Sequence, residues 1–209
     1  MQRTRQRPPR RFRVTWGVRR AYTLVELVVV ITILGIAGML LVPNMIDRDT
    51  FAIQAASRSI VSDMVFAQSD ALANQEYRRF QLIKAGVGEE GYVGYCIVRV
   101  TPQNFMHPFN PDTADYIQDP MGTLGADGRY ITDFTIDDRF GGVRISSVSI
   151  DSGLDYITFD EFGGSVSSSS GAPGTGGEIE LSGGDGQRYL IAIAPFTGKT
   201  TVEVVQNGP

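Results

Sequence analysis

The chain has little of what site chemistry commonly uses. Its 209 residues include one cysteine, Cys96, one histidine, His107, and one tryptophan. A single Cys excludes an intrachain disulfide framework, and one Cys with one His excludes a Cys/His zinc cage built from this chain alone. A Ser-His-Asp triad would have to use His107, which sits in a proline-rich stretch, and no G-x-S-x-G elbow accompanies it. The acid pairs Glu89-Glu90, Asp137-Asp138 and Asp160-Glu161 lack the D-x-[DN]-x-[DN]-G spacing of a calcium loop and read as solvated turns. Gly183-Gly184-Asp185-Gly186 has no Lys-Ser/Thr after it, so it reads as a hairpin turn rather than a phosphate loop. No catalytic residue, metal or cofactor is expected.

Positive charge is scarce over most of the chain. Eight of the 19 Lys and Arg (Arg3, Arg5, Arg7, Arg10, Arg11, Arg13, Arg19 and Arg20) fall within residues 1–20, which hold no acid. The remainder carries 11 bases against 23 acids, a net charge of −12. So acidic a body repels phosphate backbones, and no nucleic-acid partner is expected.

The basic stretch ends at an apolar run, Leu24 to Val42, 19 residues with Glu26 as its only charge. As a helix it would span about 28 Å, close to the hydrocarbon thickness of a bilayer. It is longer than a secretory signal core, and Pro43-Asn44 follow it in place of a small-residue cleavage site. Basic residues on its N-terminal side predict a cytoplasmic N-terminus and a body carried across the membrane. A carboxylate in hydrocarbon is costly, so Glu26 calls for a counter-ion. A cut between Ala21 and Tyr22 would supply one, because the new α-amino group lies four residues before Glu26 and would share its helix face. In a bundle of parallel subunits the carboxylate could meet a neighbour's amine instead, and only one stagger would satisfy both charges.

Arg19-Arg20-Ala21-Tyr22-Thr23-Leu24-Val25-Glu26-Leu27 resembles the class III signal of type IV pilins and type II secretion pseudopilins. The resemblance implies that a prepilin peptidase removes the leader 1–21 after Ala21, which stands where the family normally has Gly, and N-methylates Tyr22. Tyr22 then becomes the first mature residue and Glu26 the fifth, the position that serves assembly in that family. Gly35 and Pro43 fall where family members often carry residues that soften the helix.

After Pro43 there is no Gly or Pro until Gly86, and Ile53, Ala56, Ile60, Met64, Ala67 and Ala71 recur at spacings of three and four. This predicts one helix over 22–76, roughly 80 Å long, apolar all round at first and amphipathic later, with Ser57, Arg58, Asp63, Gln68 and Asp70 on the outer faces. Beyond it the period becomes two, predicting strands over Tyr77–Lys84, Tyr92–Val100, Gly142–Ile150, Leu154–Asp160, Glu178–Leu181, Arg188–Ala194 and Lys199–Val205. Asp151-Ser152-Gly153 reads as the turn of a hairpin between the third and fourth of these. The stretch 101–128, with four prolines, reads as a functional or mobile loop, and 163–177, mostly Gly and Ser, as a flexible excursion. The expected fold is α+β and pilin-like, a long N-terminal helix packed on antiparallel sheet, its first half transmembrane. Three parts follow: leader 1–21, transmembrane and assembly helix 22–43, and periplasmic domain 44–209.

The helix Ala56–Ala71 with the strand after it is similar to that of GspH/FimT-type minor pseudopilins, as are Ile157-Thr158-Phe159-Asp160-Glu161-Phe162-Gly163 and the final hairpin around Ile191–Lys199. The resemblance implies a non-enzymatic minor subunit of a type II secretion pseudopilus, in the inner membrane with its body in the periplasm. Its implied partners are other pseudopilin subunits, the prepilin peptidase, the inner-membrane assembly platform, membrane lipid and secreted substrates. A minor pilin of a type IV pilus or competence system shares the same features. A membrane-tethered binding domain or enzyme, using 24–42 only as an anchor, is the alternative of a different class.

Overall fold

The computed structural model describes residues 22–86, 90–121, 125–184 and 186–205, with the side chains of residues 40–49 and 126 left aside. The leader 1–21, Ala21 included, lies outside the described residues, as do Glu89 and Asp185. The chain divides into two units between Val42 and Pro43.

The helix α1 is assigned from Leu24 to Asn74, without a break at Gly35, Gly38 or Pro43. Its start has a local cause. The Thr23 carbonyl accepts from the Leu27 N–H (3.1 Å) and the Thr23 hydroxyl accepts from the Glu26 N–H (3.2 Å), which makes Thr23 the N-cap. Thr23-x-x-Glu26 has the spacing of a capping box, with Glu26 at its third helical position. Tyr22 is therefore outside the helix, which begins two residues after the expected start at 22. Its end is equally local. Gln75 adopts φ 54°, and the Glu76 N–H reaches back to the Ala71 carbonyl (3.2 Å), a Schellman closure two residues short of the expected end.

In the first unit every described side chain from Tyr22 to Met39 is exposed. Among the described residues no helix is long and apolar enough to cross a membrane. The expected span 24–42 has described side chains only as far as Met39, and 24–39 covers about 24 Å against roughly 30 Å of hydrocarbon. The transmembrane first half is therefore not met in the described residues.

The second unit is α+β, with one large antiparallel sheet. Its strands are β1 (Arg78–Lys84), β2 (Tyr92–Arg99), β3 (Asp115–Tyr116), β4 (Ile131–Asp133), β5 (Arg144–Ile150), β6 (Tyr156–Phe159), β7 (Ser165–Val166), β8 (Gly177–Ser182), β9 (Arg188–Ile193) and β10 (Thr200–Val205). The order across the sheet is β10-β9-β8-β5-β2-β1-β6-β7, and β3 and β4 also pair with β2. The seven long strands lie within two residues of the expected bounds. The short β3, β4 and β7 were not expected.

Residues 52–71 of α1 bury their stripe against one sheet face. Ile53, Ala56, Ile60, Ala67 and Ala71 have no exposed surface and Met64 almost none, and they join Phe80, Leu82, Tyr95, Ile97, Ile157, Phe159, Ile179, Leu181 and Ile191 in one core. Each buried Ile or Met contributes about 1.5–3 kcal/mol. The residues between these on β1 and β2 point the other way, where Cys96, Val98 and Val100 pack with Phe105 and Val166 in a second, smaller core. Strand alternation thus gives the sheet two covered faces, one under the helix and one under the 101–116 segment.

Two expectations are corrected here. The chain does turn at Asp151-Ser152-Gly153, all three with positive φ, but β5 and β6 meet only at the bridge Ile150–Leu154. β5 pairs with β8 and β6 with β1, because three left-handed residues in a row swing the chain away from its neighbour. The stretch 163–177 is no loose excursion either. Ser165 and Val166 are buried and pair with β6, and the Ser165 N–H donates to the Phe196 carbonyl (2.8 Å).

Candidate functional site

The residues singled out for processing and assembly can be placed only in part. Ala21 lies outside the described residues. Tyr22 is 79% exposed, and Glu26 stands exposed in the first turn of α1, where the partial positive charge of the helix N-terminus favours a carboxylate by about 0.3–1 kcal/mol. Around it Leu24, Val25, Leu27, Val28, Ile31 and Leu34 are exposed, so the one carboxylate sits on a helix that is apolar on every side. Gly35 and Gly38 have open space where a Cβ would be. Pro43 falls within α1, its side chain outside the described set.

The other candidates take ordinary structural places. Cys96 is buried, and burial pushes its thiol up to about 12, so it is not a thiolate nucleophile. His107 is exposed on the 101–116 segment. Asp137 caps the turn Asp138–Phe140 and chelates the Arg139 guanidinium (2.6–3.0 Å), which holds its carboxyl below the usual range. Asp160 accepts from the Phe162 and Gly164 N–H groups (3.0 and 2.8 Å), as a turn acid does. Among the described residues no group of three or more His, Cys, Asp or Glu side chains could hold a metal ion.

Several polar residues expected on the outer faces of the helix instead tie α1 to the sheet. Asp70 pairs with Arg78, which is 2% exposed; Arg78 also meets Glu76 (2.9 Å), Glu76 meets Arg99 (2.8 Å), and Arg99 meets Asp115 (3.2 Å). The Gln68 amide donates to the Gly163 and Thr197 carbonyls (2.5 and 3.0 Å). Asp63 accepts from Tyr95 (2.6 Å) and Tyr130 (3.0 Å), and Ser59 lies 2.8 Å from the Tyr95 hydroxyl. The signal for the Asp63 cluster was in the strands, since a tyrosine on a buried face needs a partner for its hydroxyl.

Asp63 has a consequence for stability. Burial raises its carboxyl above the ordinary value of 3.8 and outweighs the two tyrosine hydrogen bonds, which lower it. An acid whose folded pKa is raised opposes folding when ionised, and that opposition fades as pH falls through the folded pKa towards the unfolded one. The stability of the wild-type chain relative to Asp63→Asn is therefore expected to rise on acidification through the window just above 3.8. Urea unfolding of both full chains between about pH 7 and about pH 4 reads it. A difference that is flat, or that falls with acid, contradicts this account of Asp63.

No protein-family model, curated protein or solved structure matches this chain.

Proposed function

We propose that the chain is a structural, non-enzymatic subunit of a membrane-derived filament, similar to a GspH/FimT-type minor pseudopilin of a type II secretion system. The observation that carries this reading is the first turn and apolar length of α1. Its side chains through Met39 are exposed all round, with Leu24 at 78%, Ile33 at 60% and Met39 at 82%, and a single acid stands among them. Such a surface has no use as a mere spacer. It needs lipid before assembly and sibling helices after it, and in the sequence the apolar run continues through Leu40, Leu41 and Val42.

Local helix energetics do not account for Glu26 in those surroundings. The Thr23 cap contributes about 1 kcal/mol and the helix dipole about 0.3–1 kcal/mol. An acid at the centre of a membrane helix costs about 2.5–3.5 kcal/mol, and a carboxylate left unpaired among packed helices costs more. Removal of the leader after Ala21 would place an α-amino group on Tyr22. Since Tyr22 is outside the helix, the amine of a neighbouring copy is the better counter-ion, and pairing between copies sets their stagger. The body from Pro43 onward would then lie on the periplasmic side and meet other subunits or secreted substrates. A minor pilin of a type IV pilus would use the same parts.

The experiment is the mass of the N-terminal peptide after expression of the full chain with a prepilin peptidase. N-methyltyrosine from position 22 is expected. An intact Met1, or a cut beyond Val42, would overturn the proposal.

A further inference from the structure

The second face of the sheet holds a cation without a counter-ion. Arg79 lies on β1, on the face opposite α1, and is 3% exposed. Its Nε donates to the Thr158 hydroxyl (3.2 Å) and one terminal nitrogen donates to the Phe105 carbonyl. The guanidinium stacks 3.9 Å from the centre of the Tyr156 ring and 5.4 Å from that of Phe105. All of these partners are neutral. A guanidinium carries five N–H donors, and among the described residues those not named here have no hydrogen-bond partner. No carboxylate described lies within ion-pair distance of it, and burial works against its charge.

Arg79 lines a cavity of about 530 Å³ under the 101–116 segment, together with Val98, Asn104, His107, Phe109 and Thr113. The other charges on the cavity wall are already matched, because Arg99 is held by Glu76 and Asp115. Asp155, whose charge acts on Arg79 from beyond ion-pair distance, is held by Lys84 (3.1 Å) and by the Gln81 amide nitrogen (3.2 Å). An excess positive charge is thus confined to this cavity in a body whose net charge is strongly negative.

Gln81, two residues further along the same face, is 2% exposed. Three oxygen atoms fix its amide nitrogen: the Leu82 carbonyl, the Asp155 carbonyl and the Asp155 carboxylate. Its Oε1, buried, accepts nothing, and Gln81 lines a second cavity of about 520 Å³ that shares His107, Pro108 and Phe109 with the first. One face of β1 therefore offers an unmatched cation and, about 6.6 Å away along the strand, an unmatched acceptor. A planar guanidinium matches a carboxylate through paired N–H donors, and a lone amide oxygen matches an N–H.

We propose that the cavity under residues 101–116 binds a carboxylate carried by an apolar group, at the end of a peptide chain or on a small free acid, with Arg79 as its anchor. The Phe105 carbonyl bond holds the covering segment over the site, and Val98 and Phe109 receive the apolar part. The site belongs to the sheet and is independent of whether α1 assembles.

The test is fluorescence anisotropy of the full-length chain with a dye-labelled Gly-Ser-Val-Leu peptide bearing a free C-terminal carboxylate, beside the same peptide as its amide. The acid form is expected to saturate below about 1 mM and the amide to bind at least about tenfold more weakly. Arg79→Met should give the same loss. Because Arg79 also holds the covering segment, a second variant is needed, and Thr113→Trp at the exposed rim should lose binding with the wild-type melting temperature. Unlabelled hexanoate separates the sources: displacement, or saturation by hexanoate alone, assigns the site to small acids, and saturation by the peptide that hexanoate does not displace assigns it to chain ends. Equal affinity for acid and amide, acid-peptide binding that Arg79→Met and Thr113→Trp leave unchanged, or no saturation by either probe up to about 10 mM, would overturn the proposal.

Discussion

Glu26→Leu is expected to leave the chain in the membrane fraction at wild-type level and to abolish its polymers. The substitution removes the only charge from the run Leu24–Val42, so transfer into hydrocarbon becomes easier, not harder. Under the proposed function, what it takes away is the partner of a neighbour's amine. Breaking a buried charge pair by deleting one member costs about 3–5 kcal/mol, because the other charge is left unmatched. At each subunit contact that is more than a hundredfold in association, enough to prevent a filament built from repeated contacts. Cross-linking of membranes followed by electrophoresis measures both halves of the prediction. A tethered module with no assembly role would show no change in either.

The second large effect lies in the sheet, at a glycine whose side chain is missing for a reason. Gly94 on β2 faces β4 so closely that a Cβ would sit 2.0 Å from the Thr132 carbonyl oxygen and 3.0 Å from the Asp133 Cα. Both are backbone atoms, so neither can turn aside. Gly94→Ala must push β4 away, which loosens the pairs Gly94–Asp133, Tyr95–Thr132 and Cys96–Ile131 and the bond from the Phe134 N–H to the Val93 carbonyl. Phe134 and Tyr130, both buried, flank that strand, and Tyr130 is one of the two donors to Asp63. The expected loss is about 3 kcal/mol, or a melting temperature lower by about 10 °C. Gly86→Ala, where a Cβ meets nothing within 4 Å, is the control and should stay within about 0.5 kcal/mol of wild type. Equal shifts for the two variants would contradict the close approach of β4.

What could be read from the sequence was whatever a single period carries. The stripe Ile53 to Ala71 is the buried stripe, and seven runs of alternating residues are seven strands. Strands of two or three residues, such as β3, β4 and β7, are too short to show a period at all. Pairing was harder than existence: the nearest neighbour in sequence suggested a β5–β6 hairpin, whereas β1 and β8 supply the actual partners. Four signals were present and went unread. Thr23-x-x-Glu26 is a capping pattern, Gly94 is an isolated glycine within a strand, Tyr95 and Tyr130 announce a polar partner such as Asp63, and Arg79 on a β-strand between Arg78 and Phe80 announces a second covered face. Each depends on what lies across the fold or at a helix end, which hydropathy along the chain does not record. The candidate site was less legible than the fold, since Glu26 has two local readings that differ only in what surrounds the helix.

Those readings separate at Glu26→Gln. Glutamine serves a capping box as well as glutamate does, so the start of α1 is preserved while the charge is removed. The measurement is polymer yield from membranes holding equal amounts of the Glu26→Gln and wild-type chains. A charge matched between subunits predicts normal insertion with polymers lost. Polymers at wild-type yield would show that Glu26 is a helix cap and nothing more, and the assembly account would fall with that result.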